Sequence, residues 1–469
     1  MKQQKAVHKT ARYLYYMKNT PLLCDISKTA FERAVAEKMD SDLKLEDDII
    51  AACMFVLEPV LFSFICWVLQ QTGRKGQQRI YFLARDGYFM LKMAESLCRL
   101  QKLPVECRYL YASRYAWRIP EQEINLKRSL ERICAGGINV SFAHLMRRAG
   151  LSEKEGMGIA KELGMEKQYN RKLTRKELYE YQNILAGCKT FMQLLVMHSG
   201  ACSSATEQYL KQEGLLENIS FAIVDSGWIG TMQESLQALL KRAGRTKKVE
   251  GYYFGLYNLP SGSDRSVYHS YYFAPKSGAW KKAHFSNSLF ECVFTAPHGM
   301  TIKYENENGK IKPVQGNVNE KNLKKTEALE KIFQVWISVL EEKWNPNIME
   351  EIRRLNLYGL LSTFMSRPSL EEAGWFGSFL FSDDVTEDDW QPLAAYLTGR
   401  QMLDQHFLMR LWLWFRASGR KPAESGWVEG SICLYGGIFR RLHRMGAILY
   451  KYTMYIRMQQ RYTIRRKVA

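Results

Sequence analysis

Two short apolar runs, each ending in a tight polar turn and passing directly into a helix, constrain the fold of this chain more than any other feature. The first is Ile80-Tyr81-Phe82-Leu83-Ala84, followed by Arg85-Asp86-Gly87 and then apolar residues at helical spacing over 88–100. The second is Ser220-Phe221-Ala222-Ile223-Val224, followed by Asp225-Ser226-Gly227-Trp228-Ile229-Gly230 and a helix over 231–242. A continuous apolar run of this length, bounded by turn residues, reads as a strand covered on both faces, and strands alternating with helices build a parallel sheet. Further strands are predicted at 107–111, ending in Ala112-Ser113-Arg114, and at 249–256. The predicted class is α/β, a Rossmann-like parallel sheet with a helical insertion and a helical C-terminal region.

The chain divides accordingly. Residues 1–48 read as a helical leader, with acids concentrated over 40–48, and 49–305 as the α/β core. Within that core, about 121–215 is helical in composition and forms an insertion. Aromatic sequence with strand character follows at 267–273 and 286–301. Residues 306–324 are polar and lysine-rich, a hairpin and linker, and 325–469 carry long helical patterns, including the aromatic run 407–415. No internal repeat is visible, which argues against a solenoid.

At 469 residues and 46% hydrophobic, the chain can bury a large core. Its net charge of +19 calls for an anionic partner, without choosing between a phosphorylated substrate, a membrane and nucleic acid. The ten cysteines form no CxxC pair and most sit in apolar runs, which reads as buried thiols in a reducing compartment. The eight histidines lack metal-ligand spacing, so no metal residue is assigned. The most apolar window, 49–69, is interrupted by Glu58-Pro59 and is read as a buried or proline-broken helix rather than a bilayer span. No apolar leader follows Met-Lys-Gln-Gln-Lys, so a cytoplasmic location is expected.

Chemistry concentrates at the turns. An acid delivered by a buried strand, glycines and the open N-terminus of a helix make an anion site, with Asp225 free to take a hydroxyl or a metal and Ser226, Gly227, Gly230 and Thr231 placed around a phosphate. The alternative is an ordinary β-α turn. Arg85, Asp86 and Gly87 repeat the design, with Arg85 as a bidentate phosphate donor, and Ser113 and Arg114 reach the same anion from the next strand. Trp228 either stacks on a sugar or plugs the sheet. Glu291 and His298 are isolated polar residues in an apolar stretch and are candidates for the catalytic base and acceptor ligand, against the alternative of satisfied core residues.

Four motifs together resemble a known family: Tyr-Phe-Leu-Ala-Arg-Asp-Gly-Tyr at 81–88, Tyr-Leu-Tyr-Ala-Ser-Arg at 109–114, Val-Asp-Ser-Gly-Trp-Ile-Gly-Thr-Met-Gln at 224–233 and Ala-Pro-His-Gly at 296–299. They are similar to bacterial surface-polysaccharide locus proteins commonly labelled hydrolases of the HAD (haloacid dehalogenase) superfamily. HAD phosphatases need a strand ending in Asp-x-Asp. Here Asp40-Ser41-Asp42 lies in a charged stretch and Asp225 is followed by Ser226, so the signature is expected to belong to a domain this chain lacks. The order of parts also resembles the type I phosphoribosyltransferase core. That resemblance implies a pyrophosphate loop at Arg85-Asp86-Gly87, a second loop at Asp225 with Gly230-Thr231 for the 5-phosphate of phosphoribosyl pyrophosphate (PRPP), and Mg²⁺ as a candidate cofactor. The usual paired acids of the second loop are replaced here by Asp225-Ser226.

From Gly430 onward the chain contains no acid but nine Lys or Arg, from Arg440 to Lys467, with Leu449, Tyr450, Tyr452, Tyr455, Ile456 and Tyr462 interleaved. Such a basic aromatic helix suits an anionic membrane surface; no RNA- or DNA-binding motif supports a nucleic-acid partner. The expected function is a glycosyltransferase-like enzyme of surface-polysaccharide biosynthesis. It would take a phosphorylated sugar donor, PRPP, and a glycan or lipid-linked glycan acceptor at the inner face of the cytoplasmic membrane. A HAD-like phosphohydrolase and a non-catalytic partner in a glycan-assembly complex are the alternatives.

Overall fold

The computed structural model describes residues 2–37, 45–137, 140–382, 386–387, 390–410 and 425–468. The acids at 40–44 and the aromatic residues 411–415 singled out above lie outside the described residues.

Five strands, β1 (Arg79–Leu83), β2 (Glu106–Leu110), β3 (Phe221–Trp228), β4 (Glu250–Leu256) and β5 (Tyr268–Phe273), form one sheet in the order β2-β1-β3-β4-β5. Every pairing is parallel. Alternation along each strand divides the core into two layers. Ile80, Phe82, Ala222, Val224, Tyr252 and Phe254 face one layer, whereas Tyr81, Leu83, Phe221 and Ile223 face the other. The chain is thus a mixed α/β protein whose sheet is covered on both sides, which is why β1 and the first half of β3 read as unbroken apolar runs.

The first layer is built on the helix Asp47–Arg74, whose apolar window is wholly buried; by length and composition it is the one described helix that could cross a membrane, and it is used here as a core helix. It stays continuous past Pro59 because a π-helical turn, Cys53–Leu57, precedes the proline and absorbs the lost hydrogen bond. The leader helices Lys2–Met17 and Pro21–Glu37 pack in the same layer with the C-terminal helix Glu320–Glu342. Side chains lock them together: the Tyr13 hydroxyl donates to Glu372 at 2.6 Å, and Glu351 accepts from the backbone N–H of Leu22 and Leu23 at 3.2 and 3.1 Å. The second layer contains the helices Arg114–Glu121, Lys189–Gln212 and Thr231–Arg242. The insertion has a small core of its own, including Leu145, Ile159, Leu185 and Phe191.

The hairpin expected before Lys325 is present: β6 (Thr301–Glu307) and β7 (Lys310–Gln315) pair antiparallel, and a helix starts at Glu320. The polar residues of the hairpin face solvent, while Tyr304 is buried against the insertion, stacked on Tyr209 with ring centroids 4.2 Å apart and accepting from Trp117 Nε1 at 2.9 Å. Residues 286–301 are not simply strand, because Ser286 caps a helix, Asn287–Val293, by accepting from the Leu289 N–H.

Candidate active site at the sheet switch point

In the order β2-β1-β3-β4-β5 the chain leaves β1 in one direction for β2 and in the other for β3, so the topological switch lies between β1 and β3. Doubly wound sheets bind ligands outside the carboxyl ends of their strands at that point. Here it opens on a cavity of about 630 Å³.

From β1 and its turn come Arg85 and Asp86; from β3, Asp225, Ser226 and Gly227; from the head of the next helix, Thr231. The turn after β2 contributes Ser113 and Arg114, and the helix Asn287–Val293 contributes Glu291. Residues 225–228 are still strand, so Asp225 is seated in the sheet and only 9% exposed. The Ala84–Arg85 and Gly227–Trp228 peptide bonds, one in each turn, are cis.

Three carboxylates converge in the cavity, within electrostatic reach of one another and of Arg114. Burial pushes the Asp225 pKa well above its usual value, and the charges of Asp86 and Glu291 push it further. Asp86 is raised by burial against the opposing hydrogen bond from the Ser226 hydroxyl. Glu291 rises from 4.5 to about 7, by burial and by Asp86. Its Oε1 accepts from Trp228 Nε1 at 2.7 Å, and Trp228 is packed among Phe273, Phe285 and Phe290, so the indole plugs the core and orients the carboxylate. Repulsion among three acids in a low-dielectric site keeps at least one protonated near neutral pH.

The structure separates other sequence candidates from the cavity. His298 does not line it: Nδ1 donates to the Gly299 carbonyl at 2.9 Å, leaving Nε2 to accept from the Tyr109 hydroxyl at 2.8 Å. The histidine is a satisfied packing residue, and burial lowers its pKa. Gly87 and Gly230 are also absent from the lining. A Cβ on Gly87 would stand 2.7 Å from the Phe82 carbonyl carbon, and one on Gly230 would meet the Tyr268 ring at 2.6 Å, so packing rather than ligand approach requires these glycines. Gly227 does face the cavity, but its missing side chain makes room for the Gly255 carbonyl. Ser113 lines the site with its hydroxyl committed, donating to the Thr301 carbonyl at 2.5 Å and capping the next helix through the Ala116 N–H at 2.9 Å. Arg85 is ion-paired with Glu387.

Sequence reasoning missed several walls of the site. Arg118 joins Arg114 at the cavity floor, and its i, i+4 spacing, which places both on one face of the helix Arg114–Glu121, was the signal for it. Glu387 and Trp390 close one side and Met454, Tyr455 and Met458 another. The last three belong to the C-terminal helix Arg440–Val468, whose tyrosines are used internally: Tyr452 packs edge-on to Trp280, Tyr455 stacks on Tyr257, and Tyr462 lies under Arg265. Among the described residues, no three His, Cys, Asp or Glu side chains are arranged to hold a metal ion by themselves.

Fold and site together define an α/β protein with an amphipathic ligand cavity at its switch point. No protein-family model matches the chain, and no curated protein matches it either.

Proposed function

We propose that this chain is a glycosyltransferase-like enzyme of bacterial surface-polysaccharide biosynthesis, of phosphoribosyltransferase-like type, that transfers phosphoribosyl from PRPP to a glycan acceptor. The observation that carries the reading is the switch-point cavity, whose lining brings Asp86, Asp225 and Glu291 together with Arg114 and Arg118. A phosphorylated sugar has matching halves, hydroxyls for the carboxylates and phosphate for the guanidiniums. In the reaction an acceptor hydroxyl oxygen bonds to C1 of the donor while the C1–O bond to pyrophosphate breaks, the electron pair leaving with pyrophosphate. Glu291, with a pKa near 7, takes the hydroxyl proton. A Mg²⁺ ion would be held by Asp86 or Asp225 together with the donor's phosphates, the usual mode for this ion, and would neutralise charge on the leaving group.

The apolar walls of the cavity, Ile229, Trp390, Met454 and Met458, suit a lipid-linked acceptor. An anionic membrane surface is favoured by the start of the C-terminal helix, where Ile438, Phe439, Leu442 and Met445 are 90%, 61%, 56% and 67% exposed beside Arg440, Arg441 and Arg444. The surface proposed for membrane contact thus lies ahead of the tyrosines named from the sequence. A cytoplasmic location at the inner face of the membrane belongs to the same proposal.

Calorimetry of the full chain with PRPP and Mg²⁺, beside a panel of nucleotide sugars, tests the donor. PRPP binding, with pyrophosphate released on adding acceptor, is expected; binding of a nucleotide sugar alone would overturn the reading. Phosphoaspartate chemistry of the HAD type predicts a beryllofluoride adduct on Asp86 or Asp225, and none is expected.

A further inference from the structure

Cations are distributed unevenly around the cavity floor. The helix Arg114–Glu121 and the insertion helix Leu126–Ile133 bring Arg114, Arg118, Arg128 and Arg132 close to the start of Thr231–Arg242. Arg132 is ion-paired with Glu121 and, at 2.9 Å, with Glu234; Arg128 reaches Glu234 at 2.5 Å. Those two glutamates are thereby engaged. Arg148, from the other side, donates to the carbonyls of Ile133 and Ala135 at 3.1 and 2.5 Å. Arg118, in the midst of this group, has no ion pair among the described residues; its one hydrogen bond is a long one, 3.4 Å from Nη2 to the Thr231 hydroxyl.

Burial and the neighbouring charges of Arg114 and Arg132, partly offset by Glu121, lower the Arg118 pKa to about 9, so it is still charged at neutral pH. A desolvated guanidinium facing other guanidiniums is costly unless an anion completes it, and functional sites are where such costs are retained. Arg85, the cation that the sequence offered for this role, already holds the Glu387 carboxylate. Thr231 opens a twelve-residue helix whose preceding residue, Gly230, supplies no side-chain cap, so the first N–H groups of that helix add to the same anion-attracting corner.

We infer that Arg118, with Thr231, forms the seat of a phosphoryl group of the ligand that occupies this cavity. This rests on the reading of the cavity as a phosphorylated-sugar site and adds to it which of the guanidiniums takes the phosphate. The fork of Arg118 can grip two phosphoryl oxygens while the Thr231 hydroxyl donates to a third.

The test is calorimetry of the full chain with inorganic phosphate and ribose 5-phosphate, comparing wild type with Arg118→Met, Arg118→Lys and Thr231→Val. Arg118→Met is expected to weaken ribose 5-phosphate at least tenfold, Arg118→Lys and Thr231→Val less, with the unliganded Tm of Arg118→Met equal to or above that of wild type. Unchanged affinity in Arg118→Met, or equal losses for an uncharged sugar, would overturn the seat. If Arg118→Met fails to fold, Thr231→Val and Arg118→Lys decide it: wild-type affinity in both counts against the seat. Failure of the donor assignment looks different. Arg118-dependent phosphate binding without PRPP turnover keeps the seat and removes the phosphoribosyl reading, whereas undiminished PRPP transfer by Arg118→Met keeps that reading and removes the seat.

Discussion

Tyr455 stacks on Tyr257, with ring centroids 5.1 Å apart and planes 13° from parallel, and so joins the C-terminal helix to the segment that follows β4. Both residues line the cavity, so the basic helix is a wall of the site as well as a candidate membrane contact. Tyr455→Ala is expected to cost about 3 kcal/mol, the order found for deleting a buried aromatic ring, and Tyr455→Phe about 1 kcal/mol or less. Denaturant unfolding measures both. An alanine variant as stable as wild type would show that the helix does not dock in solution.

Glu291 should control pH dependence in two ways. Its folded pKa, about 7, lies above the ordinary 4.5, so the fold favours the protonated form. The stability it contributes is full below about 4.5 and is lost as pH rises through about 7. Glu291→Gln should therefore match wild type in Tm at pH 4.5 and exceed it at pH 8. Transfer activity should rise through pH 7 in wild type and fall by roughly 10²–10⁴ in the glutamine variant, the usual contribution of a general base.

Glu387 restrains Arg85. Removing its charge with Glu387→Gln frees the guanidinium for a ligand anion, and pyrophosphate should bind severalfold more tightly by calorimetry. A weaker complex would show that Glu387 instead holds the wall in place.

Gly227 is the most severe steric constraint at the site. With φ at +136° and the Gly255 carbonyl oxygen 2.0 Å from where a Cβ would stand, Gly227→Ala must separate β3 from β4. A loss above about 3 kcal/mol is expected, larger than ordinary overpacking. Chemical denaturation would expose a smaller effect, should the strands be able to part.

The legible parts of this protein were the local ones. The first apolar run was placed to within a residue of β1 and the helix 231–242 was read with its observed bounds, whereas β3 runs four residues past the predicted end at Val224, because the Asp225 turn is still paired in the sheet. That the turns carrying Arg85 and Asp225 open on one cavity follows from the rule for parallel sheets. His298 lies outside the cavity lining for a physical reason: the cost of burying it is met by the Tyr109 hydroxyl and a neighbouring carbonyl, partners that no sequence spacing announces. Gly87 and Gly230 lie outside the lining as well, held as glycines by backbone and ring neighbours, Phe82 and Tyr268, that their own turns do not announce. Glu387, Trp390 and Met454 reach the site only through packing of elements hundreds of residues apart, which periodicity does not encode.

The walls of the cavity run from Leu83 to Met458 along the chain. During synthesis, which proceeds at about 5–20 residues per second from the N-terminus, the sheet and its acids are made well before the helix that closes them. A nascent chain stopped ahead of Met454 would carry every carboxylate of the site and yet leave it open on one side. Ligand capture should therefore begin abruptly once that helix has cleared the ribosome, so that occupancy reports completion of the wall rather than formation of the sheet.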